Sequence, residues 1–205
     1  MSDSKLRELE RRWKETGAVE DEAAYLLERV RAGDLTQERL ELAAYCGHEA
    51  AGCAVSLPRS SWDYLRLGMQ TASSESSIRT AAALGRSVLV SVDGKGMQGV
   101  FGDDFDLVLL EGVLIAIDAW ILNPSFVNAQ ALTAWAGPSS ERMTVDPCAD
   151  LAWAISTTVE HPRGVLTVME RARGILEEAG TPFEFVVAAL NSILCPWLLT
   201  RQDSV

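Results

Sequence analysis

Apolar positions along the chain recur mostly at three- and four-residue intervals, the signature of helices with one buried stripe. The stretch 19–55, VEDEAAYLLERVRAGDLTQERLELAAYCGHEAAGCAV, sets the pattern. Glu20, Asp21 and Glu22 stand where carboxylates oppose the positive end of a helix dipole. Ala23, Leu26, Leu27 and Val30 form a stripe, and Gly33 is placed to stop the helix in the left-handed conformation. Thr36 then caps a second helix, with Leu35 and Leu40 closing a hydrophobic staple.

The same logic predicts a helix over 4–15, with Leu6, Leu9 and Trp13 inside, and a short one over 49–55. Ser60 and Asp63 resemble a capping box before Trp62, Leu65 and Met69. Ile78, Ala81, Ala82, Gly85, Val88, Leu89 and Val92 continue one stripe. Residues 87–92 are β-branched enough to suit a strand, but the unbroken stripe favours helix. After a glycine-rich loop, 93–102, a central buried helix is expected over 104–122. A helix through Phe126, Ala129, Leu132 and Trp135 should stop at Gly137-Pro138 and give way to a polar loop. Asp146 as cap with Pro147 at the first position opens the next helix. Another begins at His161-Pro162 and stops at Gly180, and Thr181-Pro182-Phe183-Glu184 starts the last.

About ten helices joined by short corners predict an all-α fold. They would pack as an array of helical hairpins, HEAT-like or an irregular bundle. The 205 residues form one domain, with an N-terminal unit over 1–58 and the main array over 59–205. The dipeptide Ala-Trp at 119–120, 134–135 and 152–153 is a weak internal echo of stacked repeats.

Composition narrows the setting. An apolar fraction of 48% with 23% charged residues belongs to an ordinary globular chain. The polar start MSDSKLRELERRWKE has no apolar core of a secretory signal. The apolar run 105–122 carries Asp106, Glu111 and Asp118, too many carboxylates for a membrane span. Cys46, Cys53, Cys148 and Cys195 lack CxxC spacing, so reduced thiols in a bacterial cytoplasm are the expectation.

The formal charge is −11. Residues 93–160 hold ten carboxylates against Lys95 and Arg142, a net of −8, whereas 1–60 carry −3. This argues against nucleic-acid binding and against an anionic membrane surface. It allows a basic protein partner, or a solvated acidic face.

Candidate chemistry is sparse. Gly94-Lys95-Gly96-Met97-Gln98-Gly99 matches GxGxxG, but Val100 to Asp104 extends the loop with two negative charges instead of opening a helix. His48-Glu49 fails HExxH because Gly52 stands at the fourth following position. Cys46 and His48 have no orienting acid nearby in sequence. With His48 and His161 as the only histidines, a multi-histidine metal site is excluded, and no cofactor is expected. Glu111 and Asp118 share a helix face, fit either for metal or acid–base work or for pairing with Arg79, Arg86, Arg171 or Arg173. The six tryptophans, Trp13, Trp62, Trp120, Trp135, Trp153 and Trp197, are expected to be mostly core, with one or two lining a groove.

With the 19–55 unit, the helices of 104–135 and the final Pro196-Trp197 in view, the chain resembles an uncharacterised bacterial all-helical family. The likeness lies in the wording GAVEDEAAYLLERVRAGDLTQERLELAAYCGHEAA within 13–51. A fainter likeness, to helical immunity proteins, rests on an alanine helix with an arginine-rich start, an acidic loop and a helix ending in Ala-Trp. The resemblance implies no catalytic residues. The function expected is a non-enzymatic protein-binding module, an adaptor or scaffold. The alternatives are an acidic immunity protein that masks a basic toxin, and an enzyme with its site in the acidic middle. Asp103, Asp104, Asp106 and Trp135 are the residues expected to meet a partner.

Overall fold

The computed structural model describes residues 2–57, 60–93, 107–142 and 146–200. These are helical almost throughout, with no strand among the described residues. The helices are α1 (Ser2–Thr16), α2 (Val19–Ala32), α3 (Gln37–Tyr45), α4 (Glu49–Val55), α5 (Trp62–Thr71) and α6 (Ser74–Asp93). Then come α7 (Leu107–Leu122), α8 (Phe126–Thr133), α9 (Ala136–Arg142), α10 (Pro147–Thr157), α11 (Val165–Glu178) and α12 (Phe183–Leu199), with a 3-10 turn, Pro162–Gly164, before α11. The all-α expectation holds, and residues 87–92 are helical within α6.

The chain divides into two compact units. One comprises Met1–Gly68 with Leu190–Val205, the other Met69–Ala189. The first unit thus runs past the expected boundary at residue 58 and includes the segment from Leu190 onward.

In the first unit, local chemistry sets each helix end. Gly33 takes φ 80° and stops α2, with Asp34 N–H donating to the Arg29 carbonyl. The Thr36 hydroxyl accepts from Arg39 N–H, and Leu35 and Leu40 are both buried. Helix α2 packs on α1 and α4, and α3 on α4. The end of α12 is tied to this group by side chains. Arg29 donates to the Leu199 carbonyl at 2.5 Å and Arg39 to that of Trp197. Asn191 donates to the Gly47 carbonyl at 3.1 Å. Arginines on the last carbonyls oppose the negative end of the α12 dipole.

In the second unit the central helix is α10, not the 104–122 segment. Helix α10 touches α6, α7, α8, α9 and α11. Cys148, Ala149, Leu151, Ala152, Ala154, Ile155 and Ser156 are all buried. Short side chains let neighbours approach from several sides. Because α6 packs on α7, α10 and α11 at once, contacts are not confined to neighbours in sequence. This unit is therefore an irregular bundle rather than a stack of nearest-neighbour repeats.

Helix α7 is half-buried. Leu109, Leu110, Val113, Leu114 and Ile117 face inward, while Val108, Glu111, Ile115, Ala119 and Leu122 face out. The expectation of a fully buried helix here fails because the apolar residues exceed what one face needs. The predicted stop at Gly137-Pro138 also fails. Helix α8 ends at Thr133, and Gly137 and Pro138 occupy the first turn of α9, where no intrahelical N–H bond is lost to proline. Ser61, not Ser60, caps α5 by accepting from Tyr64 N–H, while the Ser60 hydroxyl donates to the Tyr45 carbonyl.

Two glycines permit close packing in the second unit. A Cβ on Gly112 would lie 2.2 Å from Cη2 of the Trp135 ring, and one on Gly85 would lie 2.8 Å from Ile155 Cδ1 and 2.9 Å from Leu114 Cδ2. The tryptophans are not core. All six are half-buried, and the deep interior is built from Leu, Ile, Val, Ala and Met. Indole nitrogens need partners, so the rings sit at the margins.

Candidate functional site

The 46–49 corner acquires an acid that sequence spacing did not reveal. His48 caps α4 through Nδ1, which accepts from Ala51 N–H at 3.2 Å. Its Nε2 lies 3.6 Å from Glu22 Oε1, brought across from α2. An accepting Nδ1 places the proton on Nε2, facing that carboxylate. Burial holds the imidazole pKa below its ordinary value, with the Glu22 and Glu49 carboxylates opposing. Cys46 is fully buried, and its thiol is pushed well up by burial. Cys195 packs on the same helix end, its thiol 3.7 Å from the Ala43 carbonyl and pushed up to about 12 by burial. Buried, protonated thiols are poor nucleophiles, so this corner is a helix junction.

Glu111 and Asp118 do not converge in a pocket. Glu111 is exposed on the outer face of α7, and Asp118 forms an ion pair with Arg86 of α6. The described acids of the middle segment are partly neutralised in the same manner. Asp146 is buried, accepts from Cys148 N–H at 2.8 Å and has Arg142 at 3.9 Å. Asp150 meets Arg171 at 2.7 Å, although burial still holds its pKa above the ordinary value. Of the residues expected to meet a partner, Asp103, Asp104 and Asp106 lie outside the described residues, as does the GxGxxG segment at 94–99. Trp135 is half-buried, laid over Gly112 where it locks the α8–α9 corner to α7. Among the described residues no group of His, Cys, Asp and Glu could hold a metal ion. None of the described helices is long and apolar enough to cross a membrane.

Two surface features were not singled out in the sequence. The first is apolar. Val108, Ile115 and Leu122 stand at seven-residue intervals on the outer face of α7 and are 68%, 72% and 86% exposed. Phe126 and Val127, at the start of α8 just past the Asn123-Pro124 corner, are 76% and 71% exposed. The signal for this face lay in the run 107–122, which is apolar on more sides than a half-buried helix can cover. The second feature is a cleft of about 470 Å³ lined by Met69, Gln70, Thr71, Ala72, Ser77, Glu160, His161 and Arg163. Its residues come from the end of α5, the start of α6 and the turn before α11, so no local motif announces it.

Compared with protein families, curated proteins and solved structures, the chain matches none.

Proposed function

We propose that the protein is a non-enzymatic helical module that binds another protein through the outer face of α7 and the start of α8. The observation that carries this reading is the exposure of Val108, Ile115, Leu122, Phe126 and Val127 on successive helices. Large apolar side chains clustered in this way mark interaction surfaces more often than isolated ones do. Covering five such side chains at about 2 kcal/mol each gives on the order of 10 kcal/mol before costs. Association consumes roughly 4–15 kcal/mol of that. The face alone therefore supports weak binding, and a stable complex needs polar contacts around it. Glu111 on the same face supplies one carboxylate for a basic group.

The alternative is an immunity protein whose acidity masks a basic toxin, favoured by the net charge of −11. Salt separates the two readings. An electrostatic mask releases its partner as ionic strength rises, whereas an apolar face does not. Capture of partners from a bacterial lysate at low and high salt, with wild type, with Ile115→Glu/Phe126→Glu and with Asp103→Asn/Asp104→Asn/Asp106→Asn, makes the test. A partner lost with the first variant and kept at high salt supports the apolar face. A partner lost with the second variant and at high salt supports the mask.

A further inference from the structure

Polar ties fix the register between the end of α12 and the corner that joins α3 to α4. The Asn191 side chain donates to the Gly47 carbonyl at 3.1 Å, the Cys195 thiol lies 3.7 Å from the Ala43 carbonyl, and Arg39 donates to the Trp197 carbonyl. The two lines of residues run in opposite directions, 191, 195 and 197 against 47, 43 and 39. Asn191 and Cys195 are one turn apart on α12 and share a face. Cys46 stands three residues past Ala43 with near-helical φ −77° and ψ 6°, so it continues the Ala43 face. It falls between the Gly47 and Ala43 contacts, opposite the turn that carries Asn191 and Cys195. Both thiols are withdrawn from solvent. Burial pushes the Cys46 thiol up, and the neighbouring Cys195 sulfur pushes it further. Cys53 is exposed instead, and Cys148 belongs to the other unit.

We propose that Cys46 and Cys195 are a redox pair, which joins as a disulfide when the chain folds in the presence of a small-molecule disulfide and staples the end of α12 to the α3–α4 corner. One cysteine thiolate attacks the reagent and displaces the first small thiol. The other cysteine thiolate attacks the mixed disulfide so formed and displaces the second. The reagent's S–S bond breaks as the protein's forms. The cysteine pair is oxidised, the reagent is reduced, and the two cysteine protons leave on the released thiols. Exchange runs while the sulfurs are still accessible, because burial in the folded chain keeps both protonated and out of reach. The same burial shelters the finished bond from reductant. It links residues far apart in sequence, where a cross-link restricts the unfolded chain most. This inference is independent of the apolar face on α7 and α8.

The test refolds the full chain from urea by dilution into oxidised and reduced glutathione, blocks the remaining thiols by alkylation, and maps the peptides by mass spectrometry. A parallel sample is refolded with excess dithiothreitol. The peptide that holds Cys46 should be joined to the one that holds Cys195, and only in the oxidised sample. The urea midpoint of that sample should lie about 1 M above that of the reduced one, the size expected for a cross-link closing a long loop. Cys195→Ala and Cys46→Ala should each lose both the joined peptide and the gain, while Cys53→Ala should keep both. Circular dichroism of each reduced variant shows that it folds. A folded oxidised chain without the joined peptide overturns the proposal. So does a joined chain whose midpoint is unchanged or lowered, or a predominant bond from Cys46 or Cys195 to another cysteine.

Discussion

Gly112→Ala probes the seat of the α8–α9 corner on α7, the helix that carries most of the proposed interface. Two opposing effects decide the outcome. Replacing glycine by alanine within a helix favours folding by about 1 kcal/mol through chain entropy. The new methyl, however, would lie 2.2 Å from Cη2 of Trp135, on a rigid ring rather than the free end of a flexible side chain. Forcing a methyl into a packed site costs about 1–3 kcal/mol, and a ring that cannot yield belongs at the upper end. The net is a destabilisation of roughly 1–2 kcal/mol. Gly174→Ala is the internal control. Gly174 is an exposed glycine within α11, and its added Cβ would meet open space. There the entropic effect acts alone, and stability should rise by about 0.5–1 kcal/mol. The two variants should thus differ in sign by urea unfolding followed at the helical circular-dichroism band. In the Trp135→Ala background, Gly112→Ala should lose most of its penalty, because the cycle removes the clashing ring. If Gly112→Ala stabilises as much as Gly174→Ala, the ring does not lie over α7 and the corner is built differently.

Further predictions follow from the helix caps and the thiols. The pKa of His48 lies below its unfolded value of about 6.5, so the unfolded state takes up more protons as pH falls through that value. Stability should therefore be full above about pH 6.5 and decline below it, because protonating Nδ1 also removes the acceptor for Ala51 N–H. His48→Asn, which caps without titrating, should flatten that dependence in urea midpoints measured across the range. Asp146→Ala should cost about 2 kcal/mol by removing the buried cap of α10, whereas Asp146→Asn should retain much of it, again read by urea unfolding. Asp118→Asn should cost less than about 1 kcal/mol, since the pair with Arg86 is partly exposed. A thiol reagent should modify exposed Cys53 in the native protein and reach buried Cys46, Cys148 and Cys195 only on unfolding.

Helix identity was legible wherever a boundary was chemical. Gly33 in the left-handed conformation, the Thr36 hydroxyl on α3 and Asp146 with Pro147 on α10 are each specified by a few adjacent residues. Boundaries failed where the same residues have two uses. Proline stops a helix that it follows but fits the first turn of one that it opens, and Pro138 does the second.

Centrality was not legible from hydrophobicity. Helix α7 is the more apolar segment, yet alanine-rich α10 is the hub, because small side chains rather than large ones admit several neighbours. The pairing of His48 with Glu22, and the gathering of Ser77 with Glu160 and Arg163, join residues with no shared periodicity. Such sites arise from packing and leave no local mark. The apolar face of α7 did leave one, as an excess of Leu, Ile and Val over what burial on one side requires.

The most direct test of the central claim is capture of a bound protein from lysate by wild type, Ile115→Glu/Phe126→Glu and Glu111→Gln, each first shown to be folded. Wild type should hold a partner in both low and high salt, Glu111→Gln should hold it more weakly, and the double variant should lose it. A partner that the double variant retains, or no partner at any salt concentration, would contradict it.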